Sequence, residues 1–186
     1  MNIFEFYYKV RQKVITKSYS LIYGVSFRRV GFQNKFFGLD RNVFSAGVSI
    51  GDFCWIEQVR SYSGECYSPS LYIGKDVSFS DMVHISCVSK IQIMDGVLIG
   101  SKVYIGDHSH GYGSSFSYGS PCVNPLFNIG AVYVGKNNWI GDGVIILANT
   151  YLCDNCVVSA NSVLKNITVT SPSLIAGNPA KIIKAL

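Results

Sequence analysis

The fold is decided by the stretch VGKNNWIGDGVIILANTYLCDNCVVSANSVL, which runs from Val134 to Leu164. An aliphatic residue stands at every sixth position of this stretch: Val134, Ile140, Ile146, Leu152, Val158 and Leu164. An earlier stretch has the same period at Ile73, Phe79 and Ile85, and again at Ile93, Ile99 and Ile105. Six residues per flat face and three faces per turn describe an all-β solenoid, the triangular parallel β-helix.

A smaller residue often follows the aliphatic one four positions later, and both are expected to point into the narrow interior. Examples are Val97, Val103, Val144, Thr150, Cys156 and Ser162. Glycine beside Asn or Asp, as in Ile140-Gly141-Asp142-Gly143, is typical of tight corners with positive φ. A β-sandwich would instead need alternation with a period of two and hairpin turns, so we favour the β-helix.

Length and composition are those of one domain with a large apolar interior. The chain has 186 residues, of which 48% are hydrophobic and 15% charged, and its formal net charge is +5. This charge favours anionic partners such as phosphorylated cofactors, acidic glycans or a membrane surface, whereas no basic run accompanies a nucleic-acid motif. Because no stretch approaches about 18 uninterrupted apolar residues and the start lacks a signal-peptide pattern, we expect a cytoplasmic protein.

The N-terminal segment predicts a basic amphipathic helix over residues 2–17. Apolar residues recur there at helical spacing with basic residues between them: Ile3, Phe4, Phe6, Tyr7, Val10, Val14 and Ile15, with Lys9, Arg11, Lys13 and Lys17. We expect this helix to cover the open end of the β-helix. The alternative is peripheral membrane contact through residues 1–20, at the inner face of the membrane. We assign residues 1–40 to this helix and cap, and residues 41–186 to the repeat domain.

The six-residue period is interrupted between Ile105 and Val134. Residues 106–130 are rich in glycine and serine and predict a loop extruded from the β-helix. Long loops on a rigid scaffold often carry functional residues. Two of the three histidines of the chain, His108 and His110, stand at the start of this loop.

Three motifs resemble those of the hexapeptide acyltransferases. They are Ile99-Gly-Ser-Lys-Val-Tyr-Ile-Gly-Asp-His-Ser-His-Gly, then Val134-Gly-Lys-Asn-Asn-Trp-Ile-Gly-Asp-Gly-Val, and finally Ile175-Ala-Gly-Asn-Pro-Ala-Lys181. The resemblance extends over residues 41–186 and is closest to O-acetyltransferases similar to the maltose and galactoside enzymes, especially relatives in bacterial polysaccharide synthesis. It implies a left-handed β-helix and transfer of an acetyl group from acetyl-CoA to a sugar hydroxyl, with histidine as general base and no metal.

The resemblance places the catalytic histidine at His110, with His108 as the second candidate. An imidazole suits this role because its pKa lies near working pH, so it can take the proton of the attacking hydroxyl. Asp107 is expected to orient the active imidazole or, as a loop aspartate, to form a turn. The alternative is that both histidines only hold the loop through hydrogen bonds.

Matching positions elsewhere imply the remaining site residues. Trp139 is expected to line the channel for acceptor and cofactor, and the backbone N–H of Asp142 to stabilise the oxyanion. Further cofactor-binding positions are Ala160, Ser162, Lys165, Lys181 and Lys184. His84 is expected to emerge at a corner and to bind the acceptor together with Ser80 and Asp81.

Other functions stay open at the level of the sequence. Three histidines would suit a γ-type zinc carbonic anhydrase, but the spacing of His108 and His110 departs from that family. Cys153 and Cys156 lack the second pair that a zinc site needs. A non-catalytic assembly module and an N-acyltransferase of an amino sugar are further alternatives. Such N-acyltransferases often carry an additional nucleotide-binding domain, for which the region before Arg41 is short, so we favour O-acetylation.

The resemblance also implies a homotrimer with active sites between neighbouring subunits. Residues 111–130 are then expected to reach the next protomer, with exposed aromatic residues as interface anchors. These are Tyr112, Phe116, Tyr118 and Phe127. We further expect a short C-terminal helix after the last repeat.

Overall fold

The computed structural model describes residues 2–111, 120–127 and 129–186. These residues form one α-helix, one short 3-10 helix at Pro121–Val123, and 23 strands. In chain order the elements are α1 Ile3–Tyr23, β1 Arg29–Val30, β2 Lys35–Phe37, β3 Ser49–Ile50, β4 Trp55–Gln58, β5 Ser61–Tyr62, β6 Glu65–Cys66, β7 Ser70–Ile73, β8 Ser78–Phe79, β9 His84–Cys87, β10 Lys90–Ile93, β11 Leu98–Ile99, β12 Tyr104–Gly106, β13 Ser109–His110, β14 Leu126–Phe127, β15 Val132–Val134, β16 Trp139–Ile140, β17 Ile145–Ile146, β18 Thr150–Leu152, β19 Val157–Val158, β20 Val163–Leu164, β21 Ile167–Val169, β22 Ser173–Gly177 and β23 Ala180–Ala185. Within the described ranges, no helix has the length and apolar content needed to span a bilayer.

Most strands belong to three sheets that the chain visits in rotation. The first sheet has the order β1-β3-β8-β11-β16-β19-β22-β23, the second β2-β4-β9-β12-β17-β20, and the third β7-β10-β15-β18-β21. Successive strands such as β8, β9 and β10 therefore lie in different sheets. Each pairs in parallel with its counterparts from the preceding and the following passage. This rotation brings together side chains that are 17 positions apart, as Val158 and Ile175 are, to 41 positions apart, as Ile99 and Ile140 are.

The six-residue period is the spacing between successive inward residues. In register, the first sheet stacks Ile50, Phe79, Ile99, Ile140, Val158 and Ile175, the second Ile56, Ile85, Ile105, Ile146 and Leu164, and the third Ile73, Ile93, Val134, Leu152 and Val169. All of these side chains are buried, and so are the smaller residues predicted to point inward, Val97, Val103, Val144, Thr150, Cys156 and Ser162. The predicted inward positions are confirmed. Burying one such aliphatic side chain contributes about 1.5–3 kcal/mol.

The corners between sheets use two devices. Residues with φ of 54° to 60° turn the chain, and most of them are Asn or Asp, which tolerate this conformation: Phe53, Asp76, Met82, Lys102, Asn137, Asn149, Asn155 and Asn161. Corner carboxylates also accept a backbone N–H from the preceding passage. Asp81 Oδ1 accepts from Asp52 N at 2.8 Å and Asp142 Oδ1 from Ser101 N at 2.6 Å. The tight corners predicted from the sequence are confirmed.

Helix α1 is longer than predicted and packs on the N-terminal edge of the sheets. It begins after Asn2, whose side chain accepts from Glu5 N, and ends at Gly24 with φ 66°. Its inner side places Ile15, Tyr19 and Tyr23 on the interior cluster. The prediction ended at residue 17, where the basic residues end, but Tyr19 and Tyr23 continue the inward face. Strands β1 and β2, which α1 contacts, already belong to the parallel sheets.

The predicted C-terminal helix is wrong. Strand β23 instead runs antiparallel to β22, so the chain ends in a hairpin at the edge of the first sheet. Two neighbouring β-branched residues, Ile182 and Ile183, favour a strand, and β22 offers unpaired backbone groups on its free edge.

Two excursions leave the sheets. The first lies between β4 and β7 and contains the antiparallel pair β5 and β6. The second lies between β12 and β15 and contains the antiparallel pair β13 and β14. They contact each other, because Tyr62 Oη donates to the Cys122 carbonyl at 2.9 Å and Leu126 N donates to Tyr67 Oη at 3.0 Å.

The predicted interface anchors Tyr112, Phe116 and Tyr118 lie outside the described residues. The fourth predicted anchor, Phe127, is exposed.

Candidate active site

A cavity of about 380 Å³ lies between the outer face of the second sheet and the two excursions. All three histidines of the chain line it. The lining residues are Trp55, Glu57, Val59, Tyr62, His84, Ser86, Tyr104, His108, His110 and Leu126. This space is hereafter the histidine cavity. It forms because Trp55, His84 and Tyr104 are register partners on β4, β9 and β12, as are Glu57 and Ser86.

An aromatic row forms one wall of the histidine cavity. The rings of Trp55 and His84 stack with centroids 4.5 Å apart, and the Tyr104 ring meets His84 edge-on at 5.2 Å. Burial and the nearby carboxylates of Asp107 and Glu57 raise the pKa of the Tyr104 hydroxyl. Tyr104 is therefore a neutral hydroxyl at working pH, beside a flat apolar surface that could pack on a sugar ring.

The Glu57 carboxylate lies next to this row. Its Oε1 accepts from Ser86 Oγ at 2.7 Å and is 3.7 Å from His84 Nε2. Burial would raise the pKa of Glu57, but His84 and the Ser86 hydrogen bond outweigh burial, and the pKa is lowered. The carboxylate is therefore charged near neutral pH. His84 Nε2 is buried without a hydrogen-bond partner among the described residues, so the cavity holds an unsatisfied polar atom beside an acceptor.

Asp107 and His108 form a buried pair. The Asp107 carboxylate is fully buried and accepts from the backbone N–H groups of Val88, Ser89 and Lys90 at 2.7 to 2.9 Å. Burial would raise the pKa of Asp107, yet the hydrogen bonds from His108 and the backbone lower it. Because a carboxylate can only accept, His108 Nδ1 donates to Asp107 Oδ1, at 3.1 Å. In the neutral imidazole, Nε2 is then the nitrogen that can accept a proton.

The position of His108 distinguishes it from His110. His108 lines both the histidine cavity and a small neighbouring cavity formed by Ser109, Leu147, Ala148 and Lys165. His110 lies on β13, is exposed, and meets the Tyr62 ring at 5.2 Å. Among the described residues, the carboxylate contact belongs to His108 and not to His110. The geometry therefore favours His108, although the sequence ranked His110 first.

A second cavity, of about 400 Å³, lies on the first sheet. It is hereafter the tryptophan cavity, and its lining is Trp139, Gly141, Asp142, Val157, Val158, Ser159, Ala160 and Leu174. Three residues that the sequence assigned to the site, Trp139, Asp142 and Ala160, meet here. Trp139 is 55% exposed and is not a core residue. Its indole offers an apolar wall to a ligand.

The backbone N–H of Asp142 faces a residue without a side-chain acceptor. The register of β16 and β19 sets Asp142 opposite Ala160, whereas the N–H groups of Asp52 and Ser101 each donate to an aspartate of the next passage. Alanine has no acceptor, and the described residues supply no other partner for this amide. An unpaired N–H beside a cavity can stabilise a developing oxyanion.

The remaining predicted residues are distributed differently. Lys165 lies beside His108 in the small cavity. Lys184 is exposed and pairs in register with Leu174, which lines the tryptophan cavity. Lys181 lies earlier on β23, opposite Ala176. Ser162 is buried, since its Oγ donates to the Ser159 carbonyl at 2.7 Å and accepts from Gly177 N at 3.1 Å. Its hydroxyl is thus used within the fold.

Ser80 and Asp81 do not join His84, which corrects the prediction for these two residues. They lie at the corner before β9, where Asp81 accepts from Asp52 N, and neither lines the histidine cavity.

Cys153 and Cys156 have their Sγ atoms 3.6 Å apart as free thiols. In the part of the chain that the structure describes, no group of His, Cys, Asp or Glu has the arrangement of a metal site.

Residues 131–166 match the family described as bacterial transferase hexapeptide (six repeats). This part of the chain matches the hexapeptide repeat. A curated relative of this chain is the putative lipopolysaccharide biosynthesis O-acetyl transferase WbbJ of Escherichia coli (strain K12). It is 36% identical over 121 residues, which are 61% of this chain and 60% of WbbJ. The chain thus spans less than two thirds of that relative. The resemblance stated from the motifs is confirmed.

Two solved structures share the fold of this chain. Galactoside acetyltransferase in complex with coenzyme A has a TM-score of 0.58 at 19% identity, covering 92% of this chain and 70% of its own. A mutant of AntD, an N-acyltransferase from Bacillus cereus in complex with dTDP-4-amino-4,6-dideoxyglucose and coenzyme A, has a TM-score of 0.61 at 18% identity, covering 91% and 88%. At these identities the likeness concerns the fold.

Sequence reasoning missed seven lining residues of the histidine cavity: Trp55, Glu57, Val59, Tyr62, Ser86, Tyr104 and Leu126. A signal for two of them was present. Trp55 and Tyr104 each stand directly before an inward aliphatic residue, as His84 does, so the register alone would have aligned the three.

Proposed function

We propose that this protein is an O-acetyltransferase that moves an acetyl group from acetyl-CoA to a hydroxyl of a sugar or bacterial surface polysaccharide. The observation that carries the proposal is the buried Asp107–His108 pair, which lies between the histidine cavity and the small cavity at Lys165. The O-acetyl transferase name of the relative and the coenzyme A in similar structures support the reaction class. The rotation of the chain through three parallel sheets supports a parallel β-helix as the scaffold, and the family resemblance implies that this β-helix is left-handed.

In the proposed reaction, His108 acts as general base. Its Nε2 takes the proton of the acceptor hydroxyl while the oxygen attacks the carbonyl carbon of the acetyl thioester. Asp107 holds the ring in the required tautomer and stabilises the imidazolium that forms. When the carbon–sulfur bond breaks, the imidazolium returns the proton to the departing thiolate. The products are the acetyl ester and free coenzyme A.

The acceptor fits the histidine cavity by its chemistry. Trp55 and His84 offer a flat aromatic face, and Glu57 and Tyr104 offer a charged acceptor and a neutral hydroxyl for sugar hydroxyls. Sugars present both an apolar ring face and many hydroxyl groups, so this combination favours a sugar over an apolar alcohol.

The acetyl donor fits the tryptophan cavity. Acetyl-CoA supplies the activated acetyl thioester, and the unpaired N–H of Asp142 would stabilise the negative charge that develops on its carbonyl oxygen. Ala160 leaves room for the extended pantetheine arm. The cations Lys165, Lys181 and Lys184 would attract the phosphates.

A homotrimer would complete the site. The tryptophan cavity lies on the first sheet and the histidine cavity on the second, so one chain presents them on different faces. In a trimer, the tryptophan cavity of one subunit would meet the histidine cavity of the next. We place this assembly in the cytoplasm, where acetyl-CoA is made. A fully active monomer would contradict the trimer.

The test is an acetyl transfer assay. Purified protein is incubated with acetyl-CoA and a panel of surface glycans, and release of the free coenzyme A thiol is followed. We expect His108→Ala to lose about 100-fold or more of the rate, and His110→Ala to lose much less. The reverse order would assign the base to His110. No release with any glycan would favour a non-catalytic assembly module.

A further inference from the structure

Helix α1 carries an apolar stripe that the fold leaves uncovered. Spacings of three, four and seven residues put five side chains on one side of the helix: Ile3, Tyr7, Val10, Val14 and Leu21. They are 45 to 84% exposed. The opposite side, with Ile15, Tyr19 and Tyr23, packs on the interior cluster. The stripe is thus not needed to hold α1 on the sheets.

A basic groove runs along the same helix. Its volume is about 530 Å³, and it is lined by Gln12, Lys13, Thr16, Lys17, Ser20, Phe27, Arg28 and Arg29. Four of these residues are cations. Arg28 pairs with Asp76 at 2.7 Å and Arg29 with Asp52 at 3.4 Å, whereas Lys13 and Lys17 have no ion pair among the described residues. The groove therefore keeps an excess of positive charge.

Polar atoms in the groove also lack partners. Gln12 Nε2 and Arg29 Nε are buried, and neither has a hydrogen-bond acceptor within the described residues. Both are donors, and together with the two lysines they would suit a phosphate group. The groove adjoins the apolar stripe, because Lys13 and Lys17 directly flank Val10 and Val14 on the helix surface.

We propose that α1 docks this protein on an anionic lipid bilayer. The apolar stripe enters the interface between headgroups and acyl chains, and the groove holds a lipid phosphate. Lys13 and Lys17 lie at the boundary, where their ammonium groups face the negative surface. This inference is independent of the proposed acetyl transfer.

Charge decides between a bilayer and a second copy of the helix. The stripe alone would also suit packing of α1 against another α1. However, α1 carries four basic residues, Lys9, Arg11, Lys13 and Lys17, and a single acidic one, Glu5. Packing two such helices side by side sets like charges together, with one acidic residue per helix to offset them. An anionic surface attracts such an excess of positive charge instead of repelling it.

The test is sedimentation of the full chain with vesicles of phosphatidylcholine, with or without about 30% phosphatidylglycerol. We expect binding to the anionic vesicles that weakens as salt is raised. Val10→Ser/Val14→Ser should lose most of the binding, and Lys13→Gln/Lys17→Gln should weaken it by about 5-fold per lysine. Lys75→Gln/Lys102→Gln, which removes two exposed lysines outside α1, is the control and should bind as the unaltered chain. All variants should keep the melting temperature, since these side chains are exposed.

Several outcomes would overturn docking. They are absence of binding, equal binding to neutral vesicles, or equal losses in the control variant. Saturable binding of inorganic phosphate without vesicle binding would reduce the groove to a free-anion site. A smaller oligomer for Val10→Ser/Val14→Ser in light scattering, with vesicle binding unchanged, would assign the stripe to a second copy of the chain.

Discussion

Asp107 holds His108 in a single orientation. Its Oδ1 lies 3.1 Å from His108 Nδ1, and the carboxylate also accepts three backbone N–H groups from residues 88–90. Those amides belong to the turn that leads into β10, so one buried side chain connects the root of the loop to the third sheet. The ring of His108 is therefore positioned by the scaffold and not by the loop.

Asp107→Asn should lower kcat by about 100- to 10,000-fold. The amide cannot accept from every group that now bonds to the carboxylate, and its NH₂ group would favour the wrong imidazole tautomer. The measurement is kcat at saturating acetyl-CoA. Asp81→Asn, at a corner that holds one backbone N–H, serves as the control and should leave kcat within about 2-fold. Equal kcat values for both variants would argue against the pair.

Ala160→Asp should lower kcat by about 100-fold while folding is retained. The new carboxylate would accept the N–H of Asp142, as Asp81 accepts that of Asp52, and would also place negative charge where the oxyanion forms. Ala160→Ser is the control, because it adds a similar small group without the charge. If both variants keep full kcat with melting temperatures unchanged, the amide has no part in the reaction.

Trp55→Ala and Trp139→Ala should each raise the KM of a different substrate. Trp55 stacks on His84 in the histidine cavity, so its loss should raise the acceptor KM by about 10-fold and leave the KM for acetyl-CoA unchanged. Trp139→Ala should raise the KM for acetyl-CoA. Steady-state kinetics with each substrate varied in turn distinguishes the effects, and the opposite assignment would exchange the two cavities.

Acid should destabilise the protein partly through Asp107. Its pKa is lowered below the ordinary 3.8 in the folded state, so the unfolded chain binds the proton first as pH falls. The stabilisation that the ionised Asp107 carboxylate gives the fold is therefore complete near neutral pH. It is lost as the pH falls from about 5 to the lowered pKa of Asp107 in the folded state. Melting temperatures from about pH 7 to 3 should fall less steeply for Asp107→Asn than for the unaltered chain. Parallel curves would refute this contribution.

Met82→Asn should stabilise the fold by about 0.5–1 kcal/mol. Met82 is exposed at a corner with φ of 60°, a conformation that Asn adopts more readily. Denaturant unfolding measures the change. Met94→Asn, on a residue without positive φ, is the control, and a gain of the same size there would point to a general effect of polarity.

Local reasoning was sufficient for the inward positions of the repeat and for the alignment of three candidate residues. The inward residues follow from a period that every passage repeats, and Trp139, Asp142 and Ala160 share a cavity because the same period aligns them. Local reasoning failed where the conformation or position of a segment depends on a neighbouring strand or corner. The C-terminal residues became β23 because β22 left an open edge, and Ser80 and Asp81 lie around a corner from His84.

The sequence by itself determined the scaffold, because each inward residue contacts its counterparts in adjacent passages and a constant spacing describes all of them. Only the tertiary structure decided the site. Asp107 needs the amides of residues 88–90 to keep its charge in a buried position, and that contact makes His108 the oriented ring. Trp55 and Glu57 reach His84 only through strand register, which depends on the number of residues in each passage and corner.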